Sequence, residues 1–334
     1  MKFLKVLQYL IIIAIVILAV SRLTPHIEDF SKLWDLKDHI NYWWILAALF
    51  SQVFQYVGDG WFSQILLKIS DIKIRFKDSM RIASLNVFAA HILPVGEAGG
   101  MAAAYHFYKK LGVDTEKFIF LTICWTAITH FLLLMLFIIP SFFLQDITAT
   151  LNTSIISISI TIVTLIILST YLSRKHLFKK FKKHLGKYKW AKPFISFVQN
   201  RKIYTARLKK HPWLLIQSLI ASLIYYASNI ATLAFSFLAL GIFPSITLII
   251  FAYAAALIFS KITLAPAGIG AAEASLILIF LGAHIDPTIA IGATLIYRFI
   301  SFWLPIPAGF VSFYSLKKES KGNVDMKIFE DQIV

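Results

Sequence analysis

Four of the ionisable residues inside the long apolar stretches of this chain stand out: Glu97, Lys261, Glu273 and Arg298. Two of them belong to segments that interrupt those stretches, LPVGEAGG at 93–100 and LAPAGIGAAEA at 264–274. Each segment pairs a proline, Pro94 or Pro266, with glycines and one carboxylate. A charge at bilayer depth costs several kcal/mol unless it is paired or hydrated. Irregular backbone at that depth is tolerated only where protein buries it or water reaches it. Both glutamates are expected where a half-helix begins, at the positive end of the helix dipole. There they can cap their own helices, or hold a proton or the ammonium part of a substrate; the two roles are compatible.

Arg298 follows Asp286 by twelve residues, which is about 18 Å along a helix. That depth is too great for easy snorkelling. The planar guanidinium is expected either to pair with Glu273 or Glu97 or to hold a phosphate. Lys261 precedes the second break and either neutralises the same site or snorkels to the interface. His91, three residues before Pro94, can relay protons or satisfy a local hydrogen bond. Gly96, Gly268 and Gly270 permit tight turns whose exposed amides can cradle a phosphate. Asp59, between Gly58 and Gly60, is a weaker candidate. No zinc-ligand spacing, phosphate-binding loop or nucleophile elbow occurs in the sequence. No cofactor and no enzymatic activity are expected, and the lone Cys124 reads as a packing residue.

The elements that must position these groups follow from composition. Of 334 residues, 58% are hydrophobic and 15% charged, against roughly a quarter charged in a soluble domain. The chain reads as an all-α polytopic membrane protein. Windows long enough to cross about 30 Å of hydrocarbon fall at about 5–24, 43–66, 118–145, 151–173, 213–241 and 287–316. Segments 78–110 and 246–282 are interrupted in the middle, with arms too short for a full crossing.

Basic residues set the topology. Segment 67–81, segment 174–211 with fourteen Lys and Arg and no acid, and the run after Leu316 are expected in the cytoplasm, as are both termini. Segment 78–110 then leaves and returns on that side, and 246–282 dips from the opposite side. The expected architecture is six full spans plus two re-entrant helical hairpins in an inverted-topology repeat, a transporter-type arrangement. It forms a single membrane domain, 1–317. Repeat one covers about 1–146 and repeat two about 147–316, followed by a cytoplasmic tail at 318–334. Leu111-Gly112-Val113-Asp114 closes the first hairpin and Leu281-Gly282-Ala283 with Asp286 the second; Trp125 and Tyr297 lie eleven residues past each Asp.

Loop 174–211 is either an ordinary positive-inside loop or an amphipathic segment on an anionic lipid surface, with Leu177, Phe178, Phe181, Leu185 and Tyr188 facing the lipid. Nucleic acid is not an expected partner.

PVGEAGG, PAGIGAAEA, LGAHIDPTIAIGATLIYRFISFWLP and the final PAGF resemble the lysylphosphatidylglycerol synthase transmembrane-region family, also called the flippase-like domain family. The resemblance covers about 1–317 and is strongest around Glu273 and the Tyr297-Arg298 pair. Family members usually carry an arginine shortly after the first glutamate; Ala98 to Ala104 offer none here. The resemblance implies a membrane unit that moves lipid between leaflets in a prokaryotic cytoplasmic membrane. The partner it implies is a phospholipid or glycolipid, with a lipid-modifying enzyme or glycosyltransferase alongside. Larger members fuse this unit to a soluble synthase, which this chain is expected to lack. The alternatives are an ion-coupled transporter of a small solute, or a lipid-holding partner of an envelope glycosyltransferase.

Overall fold

The structure, a computed structural model, describes residues 40–93, 96–144, 192–263 and 270–319. The expected spans at 5–24 and 151–173, Gly268, the first part of the basic loop and the tail beyond 319 lie outside the described residues. Every regular element among the described residues is helical. In chain order these are α1 (Tyr42–Ile69), α2 (Phe76–Ile92), α3 (Glu97–Lys110), α4 (Thr115–Ser141) and α5 (Lys192–Lys210). They continue with α6 (Pro212–Ala239), α7 (Ile246–Thr263), α8 (Ala271–Gly282), α9 (Pro287–Arg298) and α10 (Pro305–Glu319). A π-helical turn, Phe299–Trp303, joins α9 to α10.

Among the described residues, three stretches are long and apolar enough to cross a membrane: Thr115–Ser141, Pro212–Ala239 and Pro287–Leu316. The protein is therefore a multi-pass helical membrane protein. Helix α1 matches α6 in length, at 28 residues, but carries a polar stripe. That stripe is buried against protein. The Ser51 hydroxyl lies 2.6 Å from the Thr232 hydroxyl, and Gln52 Nε2 donates to Thr232 Oγ1 at 2.7 Å. Polar side chains in an apolar slab associate in this way because lipid offers them no partner.

The order of elements recurs. Helix α1 ends in a turn with Asp71 left-handed (φ 60°), where Ile72 N–H donates to Leu67 C=O. Helix α6 ends in the same turn, with Gly241 left-handed (φ 79°) and Ile242 N–H donating to Phe237 C=O. A broken helix pair then follows each: α2 and α3, and α7 and α8. Both pairs close alike. Val113 N–H donates to Tyr108 C=O past Gly112 (φ 85°), and Ile285 N–H donates to Phe280 C=O past His284 (φ 59°). These 6→1 bonds satisfy the last carbonyls of each helix. Asp114 then caps α4 through Lys117 N–H, and Asp286 caps α9 through Thr288 N–H. The left-handed position in the second closure is His284; Gly282 is the last residue of α8.

Helices α1 and α6, which precede the two broken pairs, run in opposite directions. Asn41 N–H at the start of α1 donates to Ala239 C=O at the end of α6, Trp44 stacks on Phe235, and Gly58 lies against Ala221. A Cβ on Gly58 would sit 2.7 Å from the Ala221 carbonyl oxygen, so glycine sets how closely the two axes approach. Within the first pair, α2 and α3 are antiparallel. Gly100 abuts Asn86 and Ala90, and Tyr108 lies beside Ser79.

Two apolar cores result, each completed by the other half. Leu133 and Phe137 of α4 join the core of α6 to α9, while Phe313 and Leu316 of α10 join that of α1 to α3. Helix α10 packs along α2 as α4 packs along α7. Gly309 makes the first contact possible, because a Cβ there would fall 2.2 Å from the Phe88 Cβ. Helix α5, the described part of the basic loop, docks on the start of α4. Ser196 and Asn200 donate to the Glu116 carboxylate at 2.6 and 3.0 Å, and Tyr204 stacks on Phe120.

Candidate functional site

The breaks deliver their charged residues to one place. After Leu93 the chain turns through Gly96 (φ 56°), and α3 starts at Glu97. Glycine is suited to that backbone because a Cβ there would be strained. Gly270 (φ 83°) opens α8 in the same way. The Gly270 N–H donates to Glu273 Oε2 at 2.8 Å, so Glu273 caps its own helix with one oxygen. Its other oxygen, Oε1, accepts from Arg298 Nε at 2.6 Å. Capping and ion pairing thus coexist on one carboxylate.

Glu97 pairs with Lys261. This contact joins the first half to the second, since α3 supplies the acid and α7 the base. The Glu97 and Lys261 side chains are 60% and 31% exposed, whereas those of Glu273 and Arg298 are 24% and 13% exposed. The inner pair therefore feels far less screening than the outer one.

Both pairs border a single cavity of about 830 Å³ between the halves. Gly96, Glu97, His91, Lys261 and Arg298 line it, and Glu273 reaches it through Arg298. Gly270 acts as the start of α8 and is not part of the wall. His91 Nδ1 lies 3.1 Å from the Phe302 carbonyl oxygen, with its ring stacked on Phe302 at 4.2 Å. The guanidinium of Arg298 lies 4.6 Å from the centre of the same ring. Glu273 occupies Arg298 Nε, while Nη2 is buried without a hydrogen-bond partner among the described residues. Part of the donor fork thus remains for an anion.

Asp59, the weaker candidate, is a wall residue, and several others were not singled out by spacing. Gln55 joins Asp59 on α1, facing the cavity together with Tyr225 and Asn229 of α6. In each helix the two lie four residues apart, on one face. That pattern within an apolar run was the available signal. Trp125 donates its Nε1 to Asp59 Oδ1 at 3.2 Å. Trp125 and Tyr297, legible only as matched positions after the two caps, are both wall residues. The π-turn after Arg298 was also missed. Pro305 has no N–H to continue the ladder, and Leu304 N–H reaches back to Phe299 C=O instead. Such turns recur at functional sites.

The sequence matches the family model described as lysylphosphatidylglycerol synthase TM region over residues 6–309. The chain belongs to that family. It is 23% identical over 275 residues to a UPF0104 membrane protein of Methanocaldococcus jannaschii, covering 77% of this chain and 80% of that one. It is 24% identical over 263 residues to a UPF0104 membrane protein of Pyrococcus horikoshii, covering 73% and 78%.

Proposed function

We propose that this family member is a flippase. In this reading it moves the headgroup of a phospholipid or glycolipid across the cytoplasmic membrane of a prokaryotic cell, through a polar groove between two re-entrant hairpins. The observation that carries the reading is the cavity of about 830 Å³, walled by charged side chains from two halves whose long helices α1 and α6 are antiparallel. Six full spans and two hairpins would form an inverted repeat around it, with both termini and loop 174–211 in the cytoplasm. Binding sites of such transporters lie at the repeat interface near the midplane, and one repeat rocks against the other to alternate access.

The residues divide the work. Arg298 presents its free Nη2 to a headgroup phosphate, held in place by Glu273 on its Nε. Glu97 and Lys261 tie the halves together and exchange this contact for headgroup contacts as access alternates. His91 and Gly96 complete the polar path. The acyl chains remain outside the cavity. A second recess of about 540 Å³, walled by Val53, Phe76, Met80 and Leu304 with Lys77 and Arg81 beside them, suits a chain-bearing anionic lipid better than a soluble solute. Energy comes from a lipid or ion gradient, and a lipid-modifying enzyme or glycosyltransferase supplies or consumes the lipid.

The test is translocation of fluorescent-headgroup phospholipid in proteoliposomes, read with a membrane-impermeant quencher. Wild-type protein moves lipid between leaflets. Arg298→Ala and Glu273→Gln reduce the initial rate about 100-fold or more, near 2.7 kcal/mol, with expression intact. If both variants fold and move lipid normally, the site lies elsewhere. Uptake of a water-soluble solute without lipid movement would instead favour an ion-coupled solute transporter.

A further inference from the structure

The buried carboxylate of Asp59 is not used by the scheme above. It sits well inside α1, is 7% exposed, and lines the central cavity. Among the described residues its carboxylate accepts one hydrogen bond, from Trp125 Nε1 to Oδ1. Among the described residues no lysine, arginine or histidine pairs with it, whereas both glutamates of the cavity have a cation. An ionised carboxylate in such surroundings requires a compensating charge. Aromatic groups share the wall with it: Trp125, Tyr225 and Tyr297. A carboxylate among aromatic faces is the chemistry that recognises an ammonium ion.

The second half provides the contrast. At the equivalent position of α6 stands Asn229, whose Nδ2 donates to the Tyr225 carbonyl at 2.9 Å. Arg298 has no basic equivalent in the first half, where Thr126 takes its place after the cap. The unneutralised acid thus belongs to one half of the cavity, and the base with a free donor to the other.

We infer that Asp59, with Trp125 and Tyr225, forms a subsite for the ammonium of a zwitterionic headgroup whose phosphate lies at Arg298. The inference rests on the lipid reading of this cavity and narrows it to headgroups bearing both charges. It orients the headgroup, ammonium toward α1 and phosphate toward α9.

Equilibrium binding of two short-chain lipids to the purified full-length protein tests it: dihexanoyl phosphatidylethanolamine, which carries an ammonium, and dihexanoyl phosphatidylglycerol, which does not. Wild-type protein prefers the ethanolamine lipid. Asp59→Asn, nearly isosteric, weakens ethanolamine-lipid binding about tenfold or more and leaves glycerol-lipid binding within about twofold. Asp59→Glu keeps the preference. An equal loss for both lipids would assign Asp59 a purely structural role and overturn the subsite. So would an unchanged preference in Asp59→Asn, the result expected if a proton neutralises the acid, or a wild-type protein that binds neither lipid or prefers the glycerol lipid. An Asp59-dependent preference without translocation in proteoliposomes would retain the subsite and reject the flippase.

Discussion

Helices α1 and α6 have the same length, end in the same left-handed turn and lie side by side in opposite directions. Yet α1 turns Gln55 and Asp59 toward the cavity where α6 turns Tyr225 and Asn229. The same holds along the wall. His91 near the end of α2 matches Lys261 near the end of α7. Trp125 after the Asp114 cap matches Tyr297 after the Asp286 cap, and His130 matches Phe302. Turn geometry and close helix contacts reproduce the frame. The side chains at matched positions then differ in charge, size or hydrogen-bonding capacity. A cavity with identical walls would accept a polar headgroup equally well in two opposed orientations. In the proposed scheme, the unneutralised acid in one half and the free donor in the other select a single orientation.

The largest effect that can break this comparison is all-or-none. In a Cys124→Ala background, single cysteines at Lys73 and Lys110 label from one side of the membrane only. Cysteines at Phe243 and Gly282 label from the other side only. These positions flank the two broken helix pairs, and Phe243 is 54% exposed. If Lys110 labels opposite to Lys73, or Gly282 opposite to Phe243, the pairs are crossings rather than re-entrant hairpins. The halves are then not mirrored in the membrane, and the transport proposal loses its frame.

The frame was largely legible because each of its signals violates a local rule. Pro94 and Pro266 cannot continue a helix, and Glu97, Glu273 and Arg298 violate the apolar background around them. Asp114 and Asp286 are helix caps. The described helices keep close to the segments expected from hydropathy, as α6 at Pro212–Ala239 illustrates. The site was less legible because its contacts depend on how the halves meet. Nothing near Glu97 in the sequence points to Lys261, which comes within reach only once α3 and α7 face each other. Asp59 read as a weaker candidate because nothing in the sequence around Gly58 and Gly60 shows what packs there. In the structure Gly58 brings α6 close, which buries the acid. In the basic loop, Tyr204 and Asn200, which no spacing singled out, are held by Phe120 and Glu116 of α4.

A second, intermediate effect comes from exchanging chemistry between matched positions. Asp59→Asn alone loses the preference for an ammonium-bearing headgroup. Adding Asn229→Asp returns an acid to the cavity from α6, because both residues line it and the helices are antiparallel. The double variant is expected to recover about a third or more of wild-type affinity for the ethanolamine lipid, while translocation stays at least about tenfold slow, near 1.4 kcal/mol. The slow rate follows from the new acid lying in the same half as Arg298 and competing for it. Full recovery of both binding and rate would mean that the walls are interchangeable and that their asymmetry sets no orientation.

The smallest effect compares His91 with Lys261. Although matched in the frame, they are held differently. The Lys261–Glu97 contact is close but largely exposed, and exposed pairs are typically worth under about 1 kcal/mol. Lys261→Gln should therefore move the melting temperature by no more than about 2 °C, and the small change should shrink further in high salt. His91 is part-buried, stacked on Phe302 and hydrogen-bonded to its carbonyl inside the π-turn. His91→Ala removes that stacking and one polar contact, an expected loss of about 1–2 kcal/mol. Thermal unfolding in one detergent compares the two variants directly. If Lys261→Gln is the more damaging, the Glu97–Lys261 pair holds the two halves together more strongly than its exposure implies, and the proposed rocking would have to break a contact that the fold itself depends on.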